Sequence, residues 1–190
     1  MIVQVTYFEQ PGPKNTDETL AIALERALAL GIKQVVVASS FGTTARKAHA
    51  LFSPHGIKVI AVSICHGFES VGWCMSPETK TELAALGVPV VTGIQALGDN
   101  VGGAFTEKHG GRTTEEIVRE TFYRFSQGTK VAVEDLLMAA DAGLLDMDQE
   151  VITIAGTSEG ADTAIVCKPT YPLKFLELEI REILCKPRVP

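Results

Sequence analysis

The sequence lacks any cluster of basic residues and any apolar run long enough to cross a membrane. Its 190 residues include 17 Lys and Arg against 23 Asp and Glu, which gives a formal net charge of −6. We therefore expect no nucleic-acid partner, because proteins bind that polyanion through clustered Lys and Arg side chains. A membrane span needs about 20 consecutive apolar residues, so no membrane partner is expected either.

The sequence also has few features of a secreted or a metal-binding protein. Its four cysteines form no C-x-x-C pair, and residues 1–9 lack the basic region and cleavage site of a signal peptide. Free thiols and a cytoplasmic location are therefore expected. The four histidines are scattered without an H-x-x-x-H motif, so we predict no metal site.

Strand and helix patterns alternate through the first half of the chain. Alternating or continuous apolar residues predict strands over residues 2–8, 35–38, 58–62 and 88–92. Helical spacing between capping and glycine signals predicts helices over residues 16–30, 43–52 and 77–86. Short connections between such segments predict parallel strands with helices packed against them. Because no internal repeat is present, we expect a single domain over residues 1–190.

The second half of the chain is less regular. Residues 93–111 are rich in glycine, with a short helical segment predicted at 101–107, and such a segment in a compact domain is often a lid or binding loop. Thr113 and Glu116 form a capping box that predicts a helix through about Phe125. The rest is predicted as strands over residues 130–133, 151–155, 164–168 and 175–185, with a helix over 136–142.

A small, hydroxyl-rich turn follows the strand that ends at Ala38 and opens the next helix. The first backbone N–H groups of a helix are unpaired and present a partial positive charge. Small residues let an anion approach, and Ser and Thr hydroxyls add donors. The turn therefore predicts a phosphate site made by Ser39, Ser40, Phe41, Gly42, Thr43 and Thr44. An ordinary tight turn with a helix cap is the alternative.

A second loop of small residues, 156–163, follows the predicted strand 151–155. In open α/β sheets, ligands bind beyond the carboxyl ends of the strands, where the strand order reverses. If strands 35–38 and 151–155 are neighbours, the two loops face one crevice. Neither loop has a Walker A or a G-x-G-x-x-G motif. The candidate binding residues of the second loop are Gly156, Gly160, Ala161, Asp162 and Thr163.

Other candidates lie close to predicted strand ends. His66, Gly67 and Phe68 follow a strand on the expected ligand edge; the alternative is a loop histidine with Phe68 in the core. Cys65 and His66 are adjacent and would point in opposite directions, so they make a poor nucleophile–base pair. Three carboxylates lie near a predicted strand end and helix: Glu134, Asp135 and Asp141. Such groups can act as acid/base catalysts, but helix capping and solvation are the commoner roles.

Several short motifs are spread along the chain: Tyr7-Phe8 with Pro11-Gly12, Asn15-Thr16 with Glu18-Thr19-Leu20, Val36-Val37-Ala38-Ser39-Ser40, Met138-Ala139-Ala140-Asp141 and Gly160-Ala161-Asp162-Thr163-Ala164. Together they resemble the stand-alone prokaryotic proteins built on the C-terminal α/β domain of pyruvate kinase. The resemblance to that group covers nearly the whole chain, whereas the resemblance to pyruvate kinase itself covers the central sheet.

The resemblance implies a three-layer α/β fold with a mostly parallel central sheet and one reversed strand. In pyruvate kinase this domain is regulatory: its first loop grips a sugar phosphate and its glycine-rich loop covers it. The same roles would fall to residues 39–44 and 156–163. Pyruvate kinase usually has a basic residue after the glycine of the first loop. Here that position is Thr43, so we expect a ligand with one phosphate.

The stand-alone group is associated with flavin mononucleotide (FMN), so the resemblance implies FMN, with Phe41, His66 and Phe68 along its ring. Kinase activity is not expected, because the barrel that holds that active site is absent. The favoured function is a phospho-ligand-binding protein with a regulatory or carrier role. The alternative is a flavin-dependent oxidoreductase, with residues 93–111 as a lid and His66 or Glu134 as the acid/base. Analogy with the pyruvate kinase tetramer implies a homo-oligomer.

Overall fold

A computed structural model of the protein describes residues 2–189, so the two end residues of the predicted domain lie outside the described residues. The strands are β1 (Thr6–Phe8), β2 (Gln34–Ala38), β3 (Lys58–Ser63), β4 (Val90–Thr92), β5 (Val151–Ala155), β6 (Thr163–Lys168) and β7 (Glu179–Pro187). The helices are α1 (Thr16–Leu30), α2 (Thr43–Phe52), α3 (Pro77–Ala85), α4 (Val101–His109), α5 (Thr114–Tyr123) and α6 (Gln127–Asp141).

The strands of residues 2–189 form one seven-stranded sheet in the order β1-β7-β6-β5-β2-β3-β4. β6 is antiparallel to both of its neighbours, and the other neighbouring pairs are parallel. This confirms the predicted mostly parallel sheet with one reversed strand. β2 and β5 are parallel neighbours, with Val36 opposite Thr153. Because β3 and β4 continue on the other side of β2, the strand order reverses between β2 and β5.

Helices cover both faces of the sheet and give the expected three layers. Side chains alternate along β2, so Val35 and Val37 join one core while Val36 joins the other. The first core also contains side chains of α1, α2 and α3, such as Phe52 and Leu83. The second core is built on α6. The helices α2 and α6 therefore lie on opposite faces of the sheet, on either side of the point where the strand order reverses.

Local signals place most helix ends as predicted. Gly31 ends α1 in the left-handed region at φ 72°, where a residue without a side chain is favoured. The Ser76 hydroxyl caps α3 by accepting the Thr79 N–H at 3.2 Å. The predicted capping box is confirmed, because Thr113 and Glu116 each accept the other's backbone N–H.

The prediction of a strand over residues 130–133 is wrong, and the helix predicted over 136–142 is the second part of a longer helix rather than a separate one. Both segments belong to α6, which begins after Ser126, whose hydroxyl accepts the Thr129 N–H at 2.9 Å. Two alternating valines in the first segment imitate a strand. Twelve of the fifteen residues of α6 are buried, so the helix has no polar face to reveal its period.

Three predicted strands are shorter in the structure. β1 covers only the last three residues of the predicted strand 2–8, and β4 covers only Val90–Thr92. A 3-10 helix, Pro172–Glu177, precedes β7, so the last strand begins four residues later than predicted and extends to Pro187. The glycine-rich segment contains a longer helix than expected, α4. Among residues 2–189, no helix is both long enough and apolar enough to cross a membrane.

Candidate functional site

The two predicted loops border one cavity of about 470 Å³ beyond the carboxyl ends of β2 and β5. We call this cavity the crevice. Its walls come from the turn after β2, the loop after β5 and one side of α6. The volume lies within the range of about 300–1,000 Å³ that is usual for small-molecule sites. It also occupies the point where the strand order reverses, which is where ligands bind in such sheets.

The turn after β2 offers hydrogen-bond donors to the crevice. Gly42 precedes α2 at φ 83°, and a β-carbon there would lie 2.4 Å from the Thr79 Cγ2 atom, so the turn requires glycine. The Ser39 hydroxyl accepts the Ala45 N–H at 3.2 Å. Within residues 2–189, no hydrogen-bond partner exists for the N–H groups of Thr43 and Thr44 or for the hydroxyls of Ser40, Thr43 and Thr44.

The loop after β5 is held against the amino-terminal segment. Gly160, at φ 71°, lies so close to Pro13 and Thr16 that a β-carbon would clash with both. The Thr16 hydroxyl accepts the Ala161 N–H at 3.0 Å. Gly156 and Gly160 line the crevice, with Pro13 and Thr16 beside them. This docking of residues 156–163 on the start of α1 fixes one wall of the crevice.

The predicted candidates Ala161, Asp162 and Thr163 do not line the crevice. The Asp162 side chain is fully buried, and its Oδ2 atom accepts the N–H groups of Gly12 at 2.9 Å and Thr157 at 3.2 Å. Its Oδ1 atom accepts the Thr163 hydroxyl at 2.9 Å. The structure therefore uses these residues to hold the loop in place.

The predicted candidates His66, Gly67 and Phe68 also lie outside the crevice lining. They belong to a 3-10 helix, His66–Val71, and the exposed His66 ring lies 3.5 Å from the Lys80 amine. The aromatic side chain that reaches the crevice from this segment is Trp73. It meets Phe41 edge to face with ring centroids 6.2 Å apart, so two half-exposed aromatic rings border the opening.

Three ionisable residues of α6 line the crevice: Lys130, Glu134 and Asp135. Lys130 and Glu134 form an ion pair one helical turn apart, with side chains 5% and 2% exposed. Glu134 also accepts the Leu97 N–H at 2.7 Å through its Oε1 atom. Sequence reasoning missed Lys130 because it placed this residue in a strand. The signals that identify it are the Ser126 cap and the four-residue spacing from Glu134.

Asp135 differs from its neighbours because its carboxyl group has no hydrogen-bond partner among residues 2–189. The residue is 4% exposed, and its Oδ2 atom is inaccessible to solvent. Burial raises the pKa of this carboxyl well above its usual range, and the nearby charge of Glu134 adds to the rise while Lys130 opposes it. The surroundings therefore favour the neutral acid more than they would for an exposed aspartate.

A family model of the pyruvate kinase alpha/beta domain matches residues 17–167, a range that includes both crevice loops and α6. The chain belongs to this family. Two solved structures of pyruvate kinase from Cryptosporidium parvum are similar to it, one of them in complex with ADP, with 16% and 15% sequence identity and TM-scores of 0.40 and 0.42. They cover 78% and 90% of this chain. The chain spans only 22% and 24% of those kinases.

The charges of the domain are unevenly placed around the crevice. Arg46, one turn into α2, does not line the crevice and pairs with Glu82 at 2.7 Å. Lys47 lines the crevice and pairs with the exposed Asp17 at 2.6 Å. The other lining residues with ionisable carboxyl or ammonium groups are Asp99, Lys130, Glu134, Asp135 and Glu159. Carboxyl groups therefore outnumber lysines in the crevice.

The domain offers no activated thiol in the sheet. Cys167 and Cys185 are buried in strands, and burial raises the pKa of each thiol to about 12. A protonated, inaccessible thiol is a poor nucleophile. All four cysteines are free, as predicted. In the part of the chain that the structure describes, no three His, Cys, Asp or Glu side chains converge as metal ligands would.

Proposed function

We propose that the protein is a cytoplasmic phospho-ligand-binding protein with a regulatory or carrier role, and that FMN is its ligand. The observation behind this proposal is the start of α2. There the N–H groups of Thr43 and Thr44 and three hydroxyls lack partners within residues 2–189 and border the crevice. A phosphate placed there gains the donors and the positive end of the helix dipole.

The charges of the crevice favour a ligand with one phosphate. Lys130 forms an ion pair with Glu134, and Lys47 forms one with Asp17. A second phosphate would meet surplus carboxylates rather than a free cation, which is unfavourable in a partly desolvated site. FMN carries one phosphate and a ring that Phe41 and Trp73 are placed to contact at the opening. FMN itself is suggested by the resemblance to the stand-alone prokaryotic proteins.

Replacement of Thr43 by Asp is expected to weaken FMN binding at least about 100-fold, because a carboxylate would repel the phosphate at close range. Thr43 is exposed, so the fold should tolerate the change, whereas any side chain at Gly42 meets Thr79. Binding is measured by quenching of flavin fluorescence. The matched control, Thr43→Ser, keeps the hydroxyl and the N–H and should bind within about threefold of wild type.

Two outcomes of this titration contradict the proposal. Wild-type protein that neither quenches FMN fluorescence nor gains thermal stability at saturating FMN has no flavin site. Unchanged affinity in Thr43→Asp would mean that the phosphate binds elsewhere. Mass spectrometry of the small molecules that co-purify with the protein identifies the ligand independently of either variant.

A flavin-dependent oxidoreductase is the second candidate function, and one observation favours it. Asp135 lines the crevice without a hydrogen-bond partner in residues 2–189, so it is placed to hold or move a proton beside a bound flavin. Of the two predicted acid/base residues, Glu134 lines the crevice but is paired with Lys130, and His66 does not line it. The cofactor would supply the redox chemistry, and the crevice side chains would position it and exclude water.

The oxidoreductase reading predicts that NADH or NADPH reduces FMN bound to the protein in the absence of oxygen. The measurement is the loss of visible flavin absorbance, with free FMN at the same concentration as the control. If flavin reduction at a saturated site is no faster than reduction of free FMN, the oxidoreductase function is excluded and only the binding role remains.

A further inference from the structure

The buried carboxyl group of Asp135 makes no hydrogen bond within residues 2–189, so it does not stabilise the fold in that way. Lys130 and Glu134 satisfy each other, and the Leu97 N–H completes the Glu134 side of the pair. Asp135 follows directly, lines the same crevice and remains without a partner in residues 2–189. A buried polar group without a hydrogen bond costs free energy, so such a group in a cavity indicates a ligand contact.

We propose that Asp135 contacts the ligand and donates an O–H hydrogen bond to an uncharged acceptor, a carbonyl oxygen or a heteroaromatic nitrogen, at the end remote from the phosphate. This inference rests on the proposed function, because it takes the phosphate to lie at the start of α2. The two positions are on different sides of the crevice, since α2 and α6 pack on opposite faces of the sheet. A ligand anchored at α2 therefore meets Asp135 with its other end.

The charges around Asp135 favour an uncharged acceptor on the ligand. On α6 itself, Asp135 has Glu134 and Lys130 beside it. From the other elements around the crevice come Lys47 of α2, Asp99 before α4, Tyr123 of α5 and Glu159 after β5. An anionic ligand group would face this surplus of carboxyl groups. Burial raises the pKa of Asp135, which favours the protonated carboxyl, and an O–H donor of this kind pairs with a neutral acceptor.

The protonated donor gives a pH dependence of defined sign. As the pH rises through the raised pKa of Asp135, the carboxyl ionises, the donor is lost and a negative charge appears beside the ligand. Affinity for FMN should therefore fall as the pH rises. The phosphate of FMN also ionises in this range, with a second pKa of about 6, as in phosphoamino acids. Wild type must therefore be compared with a variant that binds the same phosphate but lacks the carboxyl group at position 135.

The test compares wild type, Asp135→Asn and Asp135→Leu with two probes, FMN and inorganic phosphate, between pH 5.5 and 9. Asn keeps the shape and a donor, so FMN affinity at pH 7 should stay within about threefold of wild type. Leu removes the donor and should weaken FMN binding about tenfold. Phosphate affinity should be the same in all three proteins. The ratio of wild-type to Asp135→Asn affinity for FMN should fall as the pH rises.

The outcomes separate this inference from the proposed function. FMN binding that is unchanged in Asp135→Leu overturns the Asp135 contact while the phosphate site stands, and an affinity ratio that does not vary with pH overturns the ionisable O–H donor. Equal losses in Asp135→Asn and Asp135→Leu at pH 7 overturn the O–H donor, because they require a carboxylate. Wild-type protein that binds neither probe overturns the proposed function. If Asp135→Leu fails to fold, the pH dependence of the ratio still decides.

Discussion

Lys130→Met is expected to destabilise the fold by about 3–5 kcal/mol, the usual cost of breaking a buried ion pair by removing one partner. As whole residues, Lys130 is 4% exposed and Glu134 is 1% exposed, so little water reaches the carboxylate to replace its lost partner. Met fills the space of the Lys stem without its charge, which isolates the electrostatic effect from packing. The measurement is urea unfolding at pH 7, analysed for the free energy of unfolding.

The control for this prediction keeps the hydrogen bond that Glu134 accepts from the Leu97 N–H. Gln at position 134 retains the Oε1 acceptor and removes the charge, so the double variant Lys130→Met/Glu134→Gln has no uncompensated buried carboxylate. It should regain at least about half of the lost stability. A double variant as unstable as Lys130→Met would assign the loss to packing, and a loss below about 1 kcal/mol in the single variant would show that water reaches Glu134.

Local signals made much of the fold predictable where an element is a continuous apolar run of strand length or begins at a clear cap. The strand at 35–38, the helix that Ser76 caps and the capping box at Thr113 follow this rule and agree with the structure. α6 is the exception: Ser126 caps it, but nearly all of its residues are buried. Periodicity carries no information for such a helix, and two β-branched residues then favoured a strand.

The crevice was predictable in its position and only partly in its lining. Once β2 and β5 are parallel neighbours, the two loops of small residues must meet at one edge of the sheet. The sequence does not show which side of a loop faces the cavity, so Asp162 and His66 were predicted as site residues although they lie outside its lining. Lys130 and Trp73 were not predicted as site residues. Tertiary packing brings them to the crevice from segments whose local sequence does not indicate a binding site.

The polar groups around the crevice are of two kinds: those that already have hydrogen-bond partners within the fold and those that do not. Asp162 and Glu134 are each fully engaged by backbone or side-chain partners, so they stabilise the walls. The start of α2 and the carboxyl group of Asp135 are not engaged within residues 2–189. Groups of the second kind are the ones that a ligand can pair with at no cost to the protein's own hydrogen bonds.

Asp162→Ala is expected to lower the free energy of unfolding by about 3 kcal/mol, since hydrogen bonds to a buried charged group contribute more than neutral ones. The change leaves the N–H groups of Gly12 and Thr157 without an acceptor. It also frees the Thr163 hydroxyl, which pairs at 3.1 Å with the hydroxyl of Ser126, the cap of α6. One carboxylate therefore joins the amino-terminal loop, the loop after β5 and the start of α6.

Asp162→Asn separates the loss of the network from the loss of charge. Its carbonyl oxygen can occupy the Oδ2 position and accept both N–H groups, while its amide donates to the Thr163 hydroxyl, so the loss should be about 1 kcal/mol. Hydrogen exchange supplies a local readout: the amides of Gly12 and Thr157 should exchange faster in Asp162→Ala than in Asp162→Asn. Equal stability and equal exchange in the two variants would mean that the loop after β5 is held by the glycine contacts with Pro13 and Thr16 alone.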